Sequence, residues 1–119
     1  MNKQPRNLDE VGERIRAKEA FNFTNIFGEF RGERITTSQS IPPRYVVYSY
    51  GVHYPLYVYD YEACQWYGNA DKSTATTERH KAKFKPYSVA QWVDSETLQH
   101  IAVSGIVNTT AERMAHELL

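Results

Sequence analysis

An α+β domain is the fold this sequence predicts: a small antiparallel sheet of three to four strands covered by N-terminal and C-terminal helices. Three observations lead there. The stretch Arg44 to Asn69, RYVVYSYGVHYPLYVYDYEACQWYGN, gathers most of the chain's tyrosines among β-branched apolar residues, and such side chains fit a pleated, half-buried surface. Helix-spaced apolar residues lie before and after it, the signature of covering helices. Strands and helices also occupy separate parts of the chain, in place of strict alternation.

Taken in order, residues 1–6 are polar and predicted to fray. Asn7 and Glu10 have the spacing of a capping box, and Leu8, Val11 and Ile15 recur at helical intervals, predicting a helix over 8–20. AFNFTNIFGEFRGERI follows. Phe23, Phe27 and Phe30 fit a short helical face, while Gly28 and Gly32 break it, so this stretch is expected to form an apolar lid over the sheet. Pro42-Pro43 cannot sit in a central ladder, which makes 36–43 a loop, with a short edge strand around Glu33–Thr37.

Three strands are then predicted, at Tyr45–Tyr50, Leu56–Tyr61 and Cys64–Gly68, separated by turns at Gly51 and at Asp60–Ala63. NADKSTATT is a polar connector, and Thr76 or Thr77 is placed to cap a helix over ERHKAKF. YSVAQWV reads as a strand or a short turn. Asp94 or Ser95 caps a helix over Glu96–Ser104, and Thr109 with Glu112 opens a last one at Thr110–Leu119. The 119 residues suit one domain, 1–119, divided into a sheet and basic helix at 45–85 and terminal helices at 95–119.

Composition narrows the function classes. Net charge is zero, so no chain-wide pull toward nucleic acid or membrane exists, and self-association into a homo-oligomer is permitted. One cysteine, Cys64, excludes an internal disulfide and suits a reducing cytoplasm. No apolar h-region or membrane-length apolar run is present. His53, His80, His100 and His116 lack metal-ligand spacing, and no phosphate loop or nucleophile-elbow pattern occurs, so neither metal nor cofactor is expected. Cys64 paired with a histidine is the enzyme reading; a small apolar role for Cys64 is the plainer one. Asp60 and Glu62 read as turn residues, and catalysis is not the expected activity.

Two patterns carry a binding function. Alternation groups Val46, Tyr48 and Tyr50 on one side of the first strand, and Tyr57, Tyr59 and Tyr61 on one side of the second. With Trp66, the tyrosines 48, 50, 57, 59 and 61 are the candidate partner-binding residues, since tyrosine is a stiff interface anchor with a polar tip. The plainer reading is core with hydroxyls at the rim. Between Lys72 and Lys85, five bases face one acid, a balance of +4, whereas Pro86 onward carries −3. Thr76, Thr77, Arg79, His80, Lys81, Lys83 and Lys85 are therefore the candidate nucleic-acid contacts, with hydroxyls and helix N–H groups for phosphate. The plainer reading is a solvated basic helix.

Tyr48-Ser49-Tyr50-Gly51, Pro55 through Tyr59, Trp66, and Thr76-Thr77-Glu78-Arg79-His80 together resemble a family of small phage- and prophage-encoded proteins of unknown function. The likeness covers roughly residues 45–81. The family's tyrosine-serine pair before the threonines is replaced here by Lys72-Ser73-Thr74. The resemblance implies a viral or mobile-element origin and, for a phage-encoded protein, a host-cell cytoplasmic location. With the two patterns, it leads to an expected stoichiometric binder of a host protein or nucleoprotein complex. That binder would be an anti-CRISPR-like inhibitor of host defence or of nucleic-acid handling. Direct binding of DNA or RNA through 72–85 is the alternative, and a Cys64/histidine enzyme is the third.

Overall fold

A computed structural model describes residues 4–31, 43–50 and 54–104. Helix α1 spans Leu8–Ala17, and strands β1 (Phe21–Phe23) and β2 (Ile26–Arg31) form a hairpin. Strands β3 (Arg44–Ser49), β4 (Pro55–Asp60) and β5 (Gln65–Asn69) continue the meander. Helix α2 (Ala75–Lys83), strand β6 (Gln91–Val93) and helix α3 (Ser95–Ser104) complete it. The sheet order is β1-β2-β3-β4-β5-β6, antiparallel throughout except that β6 pairs with β5 in parallel. A parallel neighbour needs a crossover rather than a hairpin, and α2 supplies it.

The three- to four-stranded antiparallel sheet expected from sequence is thus corrected to a six-stranded mixed sheet, still within an α+β chain. The lid expected over 21–31 is a pair of strands. Phe21, Ile26 and Gly28 are buried by a period of two, so the helical spacing of Phe23, Phe27 and Phe30 is a coincidence that the Thr24-Asn25 turn creates. Gly28 is required here, because the Tyr45 hydroxyl and the Phe21 ring fill the space a Cβ would take. The edge strand expected at Glu33–Thr37, the Gly51 turn and the helix expected at Thr110–Leu119 lie outside the described residues.

Helix caps follow local chemistry. Asn7 Oδ1 accepts from Glu10 N–H at 2.9 Å, as its position predicts. Thr74 rather than Thr76 or Thr77 caps α2, accepting from Thr77 N–H at 3.2 Å. Asp94 Oδ1 accepts from Thr97 N–H at 2.7 Å at the start of α3. Residues 4–6 are engaged: Gln4 Oε1 accepts from Asn22 N–H at 2.6 Å, and Arg6 pairs with Glu10 at 3.1 Å.

Two apolar layers sandwich the sheet. On one face Val11 and Ile15 of α1 and Phe84 at the end of α2 pack on Phe21, Ile26, Tyr45, Val47, Tyr57 and Trp66. On the other, Leu98, Ile101 and Ala102 of α3 pack on Val46, Tyr48, Val58 and Tyr67. Arg44 is buried on the α3 side, donating through Nε to the Ala102 carbonyl and through Nη2 to the Val103 carbonyl, both at 2.7 Å. It ties the last turn of α3 to the sheet, where helix carbonyls otherwise lack donors.

Candidate functional site

Strand register decides which tyrosines share a face. Tyr45 pairs with Tyr59, Val46 with Val58 and Val47 with Tyr57, and the register slips at Val47/Tyr48 so that Tyr48 pairs with Pro55. Tyr57, Tyr59 and Trp66 therefore join Tyr45 on the α1–α2 face, while Tyr48 lies on the α3 face stacked on Phe27 at 4.9 Å. Tyr50 is exposed at the far end of β3, in a left-handed conformation (φ 64°). The six aromatic residues singled out in the sequence do not form one surface.

A different surface emerges. Ring contacts run across the α1–α2 face from Phe30 to Tyr61 (5.7 Å), Tyr59 (5.0 Å), Trp66 (5.2 Å), Tyr57 (6.4 Å) and Trp92 (6.0 Å). The helices cover the middle of this ladder: Tyr57 is fully buried with its hydroxyl donating to the Lys81 carbonyl, and Tyr45 donates to the Glu19 carbonyl at 2.7 Å. Burial pushes both phenols up. The two ends stay open, with Phe30 57% and Trp92 44% exposed.

At the Phe30 end, Tyr59 and Tyr61 are half-buried and the chain builds a rim around them. Helix α1 closes with Lys18 N–H bonded to the Ile15 carbonyl and Glu19 N–H to the Arg14 carbonyl, leaving Lys18 left-handed at φ 57°. Glycine is the cheap residue there, yet lysine stands in its place, and its Nζ lies 4.3 Å from the Tyr59 ring centre. That is a cation–π contact on a partly exposed ring. Asp60 Oδ1 holds the next turn by accepting from the N–H groups of Glu62 and Ala63. Cys64, exposed at φ 55°, closes that turn and donates to the Tyr61 carbonyl at 3.5 Å. Burial raises the Tyr59 phenol, with the neighbouring Cys64 as the next cause, and burial raises Tyr61.

The basic segment is dispersed by its own neighbours. Thr77 is buried against Ser49, its hydroxyl 3.3 Å away. Lys81 pairs with Glu78 at 3.0 Å and donates to the Asp71 carbonyl at 2.7 Å, and Lys83 reaches Asp9 of α1 at 3.4 Å. Arg79 and Lys85 are exposed, and Thr76 is half-buried beside Arg79. Ser73 N–H is taken by Glu78. His80 packs against Phe84 with ring centres 5.8 Å apart and planes tilted by 40°, and its Nδ1 is buried and lacks a hydrogen bond.

Burial, and then the Arg79 charge, hold His80 below the usual histidine range. The folded state therefore favours the neutral ring, so the unfolded chain takes up a proton first as pH falls. Stability should be unaffected by this group above about pH 7.5 and should decline below about 6.5. Denaturation midpoints of the protein and of His80→Gln, measured at about pH 7.5 and again at about pH 5, should lie closer together at the lower pH. A gap that stays constant would remove His80 from the account.

Cys64 lies in the β4–β5 turn and His80 on α2, while His53 and His116 lie outside the described residues. No group of three His, Cys, Asp or Glu suited to a metal ion occurs among the described residues. No helix among them is long and apolar enough to cross a membrane. Sequence reasoning missed Phe30 and Lys18 as surface residues. The period-two run Ile26, Gly28, Phe30 was the available signal for the first, and nothing in the sequence marks the second. Compared with family models, with curated proteins and with solved structures, the chain matches none.

Proposed function

We propose that this protein acts by stoichiometric binding, docking the open end of its aromatic ladder onto a partner macromolecule. The observation that carries the reading is the Phe30–Tyr61–Tyr59 cluster, in which Phe30 is exposed, Tyr59 and Tyr61 are half-buried, and the Lys18 ammonium lies beside the Tyr59 ring. Interfaces are enriched in aromatic anchors at their centre with charge at the rim, and here Phe30 and Tyr59 stand on strands β2 and β4 while Tyr61 packs edge-on against both rings. Preorganised rings lose little freedom on binding.

The partner is a host protein or nucleoprotein complex, reached in the cytoplasm of a bacterial cell, and the effect is inhibition of a defence or nucleic-acid-handling activity. The phage-like pattern around Tyr48–Tyr59 and Trp66 is the support for that context. Tagged protein and the Phe30→Asp/Tyr61→Ser variant, each incubated with bacterial lysate, provide the test. The expected result is one complex of fixed stoichiometry with the parent protein that the folded variant fails to retain. A complex held equally by both, or none with either, would sink the reading.

A further inference from the structure

The geometry points to a second site, independent of the first: the groove between α2 and β6 seats one base of a single-stranded nucleic acid on Trp92, with Lys85 and Lys81 facing the phosphates. The groove is open along one side, has a volume of about 450 Å³, and is lined by Tyr57, Ala70, Glu78, Lys81, Lys85 and Trp92. That size falls in the range of ligand sites, but its openness suits a chain lying across it better than a small molecule enclosed within it.

Trp92 is built as a platform. Its register partner is Gly68, and a Cβ at Gly68 would stand 2.7 Å from the indole. Glycine therefore lets the ring lie against the β5 backbone, and the Tyr57 ring braces it edge-on at 6.0 Å. The indole remains 44% exposed on an otherwise apolar wall. A fixed, solvent-facing aromatic ring is what an unpaired base stacks on, whatever its identity.

The charge along the α2 lip complements a strand rather than a neutral peptide. Lys85 is exposed with Nζ 6.0 Å from the Trp92 ring centre. Lys81 stands on the last turn of α2, and Lys85 follows the helix end just past the Phe84 cap. The Lys81 Nζ is fixed by Glu78 and the Asp71 carbonyl, which use two of its three donors. A stacking ring and the Lys85 ammonium meet in this groove, Lys81 keeps one donor free beyond its pair with Glu78, and Arg79 is the further exposed base on α2.

The test uses the full chain and a labelled short oligothymidylate followed by fluorescence anisotropy at low salt. Binding is expected, and Trp92→Leu should weaken it about tenfold or more while Trp92→Phe retains most of it. Lys85→Glu should also weaken it and flatten its salt dependence by about one phosphate contact. Circular dichroism of each variant controls for folding. Absence of binding overturns the proposal. So does equal affinity for duplex DNA, for free thymidine monophosphate or for an acidic peptide, and so does a folded Trp92→Leu protein that binds like the parent.

Discussion

Tyr57→Ala is expected to lower the unfolding free energy by about 3–5 kcal/mol, the range for removing a large buried aromatic side chain. Tyr57 is fully buried at the centre of β4, and its ring contacts both Trp66 and Trp92. Truncation would empty the middle of the aromatic ladder and free α2, whose Lys81 carbonyl accepts the Tyr57 hydroxyl. Tyr57→Phe isolates that hydrogen bond and should cost about 1–2 kcal/mol, because the carbonyl loses its donor in a partly dry setting. Chemical denaturation of both variants gives the comparison. A loss under about 1 kcal/mol for the alanine variant would contradict the placement of this ring.

The second large effect is at Arg44. Its guanidinium is buried and carries donors to the Ala102 and Val103 carbonyls. Arg44→Met keeps most of the side-chain volume and removes those donors, which should destabilise the fold by about 2–4 kcal/mol. The loss should also be local. Amide hydrogen exchange should speed up first in α3, at 98–104, while β3–β5 amides keep their protection. Uniform acceleration across sheet and helix would show that Arg44 supports the whole core rather than the docking of α3.

Part of this architecture is written locally in the chain. Strands β3, β4 and β5 match the expected segments to within a residue, because tyrosines and valines alternate there between Pro43 and Asn69 with turn residues between the runs. Helix α1 follows from the Asn7 cap and the spacing of Val11 and Ile15. What was hidden depends on residues distant in sequence. YSVAQWV reads as a strand or a short turn, but its place as β6, parallel to β5 across the α2 crossover, is set by a pairing the local residues do not specify. Strands β1 and β2 are short, and the turn between them shifts Phe27 onto a helical spacing with Phe23.

The surface was harder to read than the fold, for a reason rooted in register. A slip of one residue exchanges the two faces of a strand, and pairing Tyr45 with Tyr59 sends Tyr48 to the side opposite Tyr57. Charge was equally hard to place. Lys83 meets Asp9, 74 positions earlier, and Lys81 meets Glu78 within its own helix, so two of the five bases in the run are paired with acids, and Lys72, Arg79 and Lys85 stay exposed. Such exposed pairs contribute little to stability, but they decide which cations remain for a partner.

Hydrogen–deuterium exchange of the purified complex, compared with the free protein, tests the binding surface most directly. The expected footprint is slowed exchange at 27–31 and 59–64, where Phe30, Tyr59 and Tyr61 sit, with the outward side of α3 unchanged. Protection confined to α3, with residues 27–31 and 59–64 exchanging as in the free protein, would contradict the account.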